Sequence, residues 1–124
     1  MVSVESVNAL LAAADEEEKE MIRDCLQSFG QYHEAVYRHE LVKLLGSGVY
    51  ADPNEYRKAV TDADRTRTAC HNAVISHVRI LNRMCAGRGL TRFYDGVVSE
   101  EKPYRREVAN AVFEYVEHLI HARA

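Results

Sequence analysis

The stretch from Asp52 to Gly87 leaves this chain few folds to choose from. It opens Asp52-Pro53-Asn54-Glu55. That puts an acceptor at the N-cap, proline where the first helical N–H needs no partner, and a carboxylate three residues after the cap. It closes at Gly87, the residue type best able to take the left-handed turn that follows a last helical residue. After Pro53 neither glycine nor proline interrupts. Tyr56, Ala59, Val60, Ala63, Cys70, Val74, Val78, Leu81 and Cys85 recur at spacings that set them in one helical stripe. At 1.5 Å per residue such a helix runs to about 50 Å, long enough to be the spine of a small domain.

The flanking segments read as helices too. Ser3 to Ala14 is short, with Val4, Val7, Leu10 and Leu11 on one side, and either runs on or breaks near Asp15. Glu16 to Leu45 follows, its buried side marked by Ile22, Cys25, Leu26, Phe29, Val36, Leu41 and Leu44. Gly30 lies inside it. One interior glycine costs about 1 kcal/mol relative to alanine, which predicts a kink or a close helix crossing there rather than a stop. Gly46-Ser47-Gly48 ends this helix. Beyond Gly87-Arg88-Gly89, residues Leu90 to Val98 are irregular but apolar at Leu90, Phe93, Tyr94 and Val97. They are expected to fold back over one end of the bundle, with Asp95-Gly96 as a tight turn. The last helix starts near Ser99 or Pro103 and runs to about Ala122. Val108, Ala111, Val112, Tyr115, Val116, Leu119 and Ile120 give it a stripe broad enough to need more than one neighbour. Nothing alternates with period two for long enough to support a sheet. The expected fold is all-α: an antiparallel helical bundle of three long helices plus a short N-terminal helix, one domain over residues 1–124.

Composition excludes several classes. Hydrophobic content of 47% and charged content of 28% are those of an ordinary globular chain. No apolar run approaches the ~20 residues that span a bilayer, and no leader pattern opens the chain, so a cytoplasmic protein without membrane contact is expected. Cys70 and Cys85 lie about 22 Å apart on one helix and cannot pair, which leaves the three cysteines as buried small hydrophobes in a reducing compartment. The net charge of −3 hides an asymmetry. Asp15 to Glu20 is almost continuously acidic, whereas Arg79, Arg83, Arg88 and Arg92 form a basic strip near the end of the long helix.

Polar residues on the helices suggest where chemistry would sit. Asp64 and His71 are seven apart and share a face, with Arg67 and Thr68 between them. On the preceding helix His33, Tyr37 and Glu40 repeat that geometry, and antiparallel packing would let the two groups meet. Three uses are open. Asp64 could fix Arg67 or His71 in a buried network, the structural use favoured by the residues alone. Arg67 could hold a small anionic ligand with His71 as proton donor or acceptor. The histidines and carboxylates could ligate a metal, but the Glu-x-x-His pairs of di-iron bundles and the His-Glu-x-x-His motif are missing, so neither metal nor cofactor is expected. Pairs near the C-terminus, Glu114 with His118 and Glu117 with His121, are expected to face solvent.

Asp64-x-x-Arg67-x-x-x-His71, Leu81-Asn82-Arg83, Tyr94-Asp95-Gly96 and the helix ending in Arg123 together resemble a small bacterial all-helical family of unknown function, over roughly the second half of the chain. The resemblance implies a bacterial cytoplasmic origin and no particular activity. The leading expectation is therefore a non-enzymatic domain acting by association, with itself first, through the broad stripe of the last helix and the acidic–basic asymmetry. The alternative is a small anionic-ligand-binding or catalytic domain built on Asp64, Arg67 and His71, with His33, Tyr37 and Glu40 beside them. A nucleic-acid-binding regulator rests on the four arginines alone, without helix-turn-helix spacing.

Overall fold

The computed structural model describes residues 1–98 and 106–123. Four helices form an antiparallel all-α bundle: α1 (Val4–Ala13), α2 (Glu16–Leu45), α3 (Pro53–Gly87) and α4 (Arg106–Arg123). The start expected for the last helix, near Ser99 or Pro103, lies outside the described residues. Among those described there is no strand, only an isolated antiparallel bridge between Val2 and Tyr94.

Each boundary has a local cause. Ser3 caps α1 by accepting from the Ser6 N–H at 3.2 Å. The chain then breaks at Ala14 and Asp15, both extended, and the acidic run proves to be a capping box. Asp15 Oδ1 accepts from the Glu18 N–H at 2.8 Å, and Glu18 Oε1 accepts from the Asp15 N–H at 3.4 Å. Asp52 caps α3 through the Asn54 N–H at 2.9 Å, with Pro53 at the first helical position. The far end of α3 differs from expectation. Gly87 is still helical, and the left-handed residue is Gly89, at φ +68°. Leu90 N–H donates to Cys85 O and Gly89 N–H to Ala86 O, the paired bonds of a Schellman motif.

Phe29, Phe93, Leu10, Ile22, Ile75, Leu81, Val108 and Val112 are among the fully buried side chains, so all four helices share one core. Phe93 comes from the irregular segment after α3. It stacks on Phe29 with ring centroids 5.6 Å apart and meets Tyr115 of α4 edge-on, also at 5.6 Å. The fold-back of this segment is thus realised, and one backbone and one side-chain bond hold it: Ser3 N–H donates to Phe93 O at 2.7 Å, and the Ser6 hydroxyl donates to Thr91 O at 2.6 Å. On the other side of Tyr94, the Asn82 side-chain amide accepts from its N–H at 2.9 Å and donates to its carbonyl at 3.3 Å. Asn82 therefore stands where a neighbouring strand would, opposite Val2.

Two expectations are corrected here, and one alternative of a third is removed. The chain bends at Gly96 rather than closing a tight turn, and glycine is required for a steric reason: a Cβ would lie 2.5 Å from Tyr94 Cε1. At Gly30, of the kink or close crossing expected, the crossing is removed, because a Cβ would meet nothing within 4 Å. Leu41 and Leu44 do not mark a buried side, being 53% and 84% exposed.

Candidate functional site

Helices α2 and α3 run antiparallel with Tyr32 opposite His71 and His39 opposite Asp64. The rings of Tyr32 and His71 meet edge-on with centroids 5.8 Å apart, and His39 Nε2 lies 3.9 Å from Asp64 Oδ1. Between them, one turn along α3 from Asp64, Arg67 donates from Nη2 to Asp64 Oδ1 at 2.7 Å. The expected Asp64–Arg67 contact is therefore present. The carboxylate is about half exposed (51%) and the guanidinium-bearing side chain about one-third exposed (34%), so the pair sits at the rim of the interhelical seam rather than in the core.

The partners expected from α2 are not the ones that face this group. His33 and Tyr37 turn to α4 instead. The His33 ring stacks on Phe113 at 4.4 Å, and Tyr37 Oη donates to Glu117 Oε1 at 2.7 Å, with His33 Nε2 3.7 Å from the same oxygen. Glu117 thus turns to α2 at the rim of the bundle, about one-third exposed, rather than to His121. Glu40 is exposed, with no hydrogen bond or ion pair among the described residues. The two polar groups read from the sequence do not meet in one place. They form two separate clusters, one between α2 and α3 and one between α2 and α4.

What the first cluster borders is a crevice of about 450 Å³, lined by Tyr32, Arg67, Thr68, His71, Arg106 and Asn110. Two arginines and a histidine wall it, and none of the described lining residues is acidic. Arg67 Nε is buried without a hydrogen-bond partner among the described residues. Burial pushes the His71 ring pKa down; a hydrogen bond with Asn72 opposes this, and the Arg67 charge adds to the lowering. The Asp64 carboxyl is held below its ordinary range chiefly by the Arg67 hydrogen bond. Burial raises the Tyr32 phenol, against the pull of the Arg67 charge. Burial is thus the main reason the imidazole holds a proton less readily than a free one, and the Arg67 charge is a smaller one.

Tyr32, Arg106 and Asn110 were not singled out from the sequence. Tyr32 and His39 carry the same seven-residue spacing as Asp64 and His71, which was the available signal; Arg106 offered none. The basic strip is also partly accounted for. Arg88 is hydrogen-bonded to Glu18 Oε2, and Arg92 Nη2 donates to Asp95 O at 3.2 Å. Among the described residues no three His, Cys, Asp or Glu side chains come together to hold a metal ion. Nor is any of the described helices long and apolar enough to cross a membrane.

Fold and site together define an all-helical bundle with a cationic interhelical crevice. The chain belongs to DUF3232, a family described as proteins of unknown function, whose model matches residues 3–123. The match takes in the first half of the chain as well as the second. No curated protein and no solved structure matches it.

Proposed function

We propose that this protein binds a small anion of the phosphate or carboxylate class in the crevice between α2, α3 and α4, without catalysing a reaction. One observation carries the reading: two guanidinium groups and an imidazole line a space of about 450 Å³, with no carboxylate among the described lining residues. Asp64 fixes Arg67 from one side and leaves the buried Nε to an incoming acceptor. His71 meets the ligand as a neutral imidazole and gains a proton as negative charge arrives beside it. Arg106, Tyr32 and Asn110 complete the site, while His33, Tyr37 and Glu40 fall outside it. The family resemblance and the three free cysteines support a bacterial cytoplasmic setting.

Titration with inorganic phosphate, and separately with succinate, tests this through the His71 ring signals in NMR. The expected result is a saturable shift with a raised His71 pKa, weakened about tenfold by Arg106→Gln. No saturable change up to about 10 mM of either anion, a binding free energy weaker than about 3 kcal/mol, would overturn the proposal. Association between copies is our second reading, favoured by the exposed leucines of α2. The nucleic-acid reading has no observation of its own once Arg88 and Arg92 are engaged within the chain.

A further inference from the structure

Tyr37, Leu41, Leu44 and Leu45 follow one another on α2 at the spacing of a single helical face. All are exposed, at 53%, 53%, 84% and 45%, and Val49 just beyond the helix is 62% exposed. Helix α4 accounts for where this face begins. Phe113 lies against Tyr37, with ring centroids 5.7 Å apart, and Glu117 accepts the Tyr37 hydroxyl. Past Tyr37 the large apolar side chains on that face are left open to solvent. Isolated exposed leucines need no explanation, but an ordered stripe of them along two turns does.

We infer that two copies of this chain associate through this stripe, with their α2 helices side by side and pointing the same way. The inference rests on the association reading above and specifies its surface and geometry. Charge identifies the occupant. The exposed charges that border the stripe on α2 are Arg38 on one edge and Glu40 on the other, one of each sign. A surface of this kind has no net field to draw a nucleic acid or an acidic peptide, but it complements itself.

The edges of the stripe set the direction. At about 100° per residue, Arg38 lies roughly 75° to one side of the stripe's middle and Glu40 roughly 85° to the other. Both are exposed, and neither has an ion-pair partner among the described residues. A two-fold axis along the stripe, with the helices parallel, brings the Arg38 edge of one copy against the Glu40 edge of the other, twice. Antiparallel pairing sets each edge against its own kind. Parallel pairing also follows the logic by which flanking charges choose orientation in coiled coils.

Sedimentation equilibrium of the full chain, from about 1 to 200 µM at low salt, is the test, because a dissociation constant anywhere in that range shows as a mass shift. A dimer is expected. Leu44→Glu, at a position too exposed to matter to the fold, should weaken it about a hundredfold, and Leu41→Glu should do the same. Arg38→Glu should weaken it about tenfold, and Arg38→Glu combined with Glu40→Arg should restore it to within about threefold. A monomer throughout would overturn both this interface and the association reading. A dimer indifferent to both leucine changes would overturn this interface and leave association standing through another surface. A dimer lost with the leucines but not restored by the charge exchange would overturn the parallel arrangement.

Discussion

Replacing Asn82 by alanine should destabilise the protein by several times the effect of an ordinary surface change. Its side-chain amide makes both hydrogen bonds available to the Tyr94 backbone, at 2.9 and 3.3 Å, in a part-buried setting. On its other edge the segment is already tied to the N-terminal residues, through Ser3 N–H to Phe93 O and Asp95 N–H to Met1 O, so the freed groups have no spare partner there. Two hydrogen bonds at about 1 kcal/mol each give a loss near 2 kcal/mol where water replaces the amide, and up to about 4 where it does not. For a chain of this size one kcal/mol moves the midpoint by about 3–5 °C, so Asn82→Ala should melt about 6–20 °C below the parent chain. Circular dichroism at 222 nm follows the loss. Asn82→Asp adds a second arm. At pH 7 its carboxylate faces the Tyr94 carbonyl it should donate to, so relative to the parent it should be worse at pH 7 than at pH 4. An Asn82→Ala midpoint within about 2 °C of the parent would refute the view that this side chain anchors the segment.

Further outcomes follow from the same structure. His71 has its pKa lowered by burial in the folded chain, so the unfolded chain protonates first. Its contribution to stability is then complete above the unfolded value of about 6.5 and is lost as pH falls below it. His71→Gln should flatten the decline in melting temperature below about pH 6.5, and an unchanged slope would refute this. Glu117 raises the Tyr37 phenol pKa first through their hydrogen bond, so Glu117→Gln should bring one tyrosine to titrate earlier in ultraviolet absorbance. Burial carries the Cys25 thiol up to about 11. Maleimide labelling read by peptide mass spectrometry should therefore modify half-buried Cys70 before Cys25 and Cys85. Gly96→Ala drives a methyl into the buried Tyr94 ring and should cost about 1–3 kcal/mol, visible in a urea melt.

The helices were legible because their boundaries are local. Asp15, Asp52 and Pro53 act within three residues of themselves, and glycine closes α2 and α3 for reasons of backbone alone. The failures share a cause of a different kind. Seven-residue spacing shows that His33 and Glu40 share a face, but not which neighbour that face meets. Rotating α2 by one residue exchanges His33 for Tyr32 and Glu40 for His39, and the structure has the second set facing α3. Leu41 and Leu44 were placed inside because period alone cannot say where the covering helix stops. Glu117 looked like a surface residue because its partner, Tyr37, is 80 positions away. Arg106 enters the crevice only through the crossing of α4, which no segment of sequence states on its own.

The stapling of the N-terminal residues to the segment after α3 also orders events in time. Ser6 and Thr91 are 85 positions apart, and closing so long a loop has little to offset its entropy until something compact already stands between its ends. Helices α2 and α3 are long neighbours joined by a short connection, and they can pair early. Helix α1, at ten residues, is too short to persist alone in water. It has nowhere to dock until Phe93 has been laid into the core and Asn82 has taken hold of Tyr94. Helix α1 is therefore expected to be the last to find its place and the first to let go, its amides exchanging with solvent sooner than those of the α2–α3 pair.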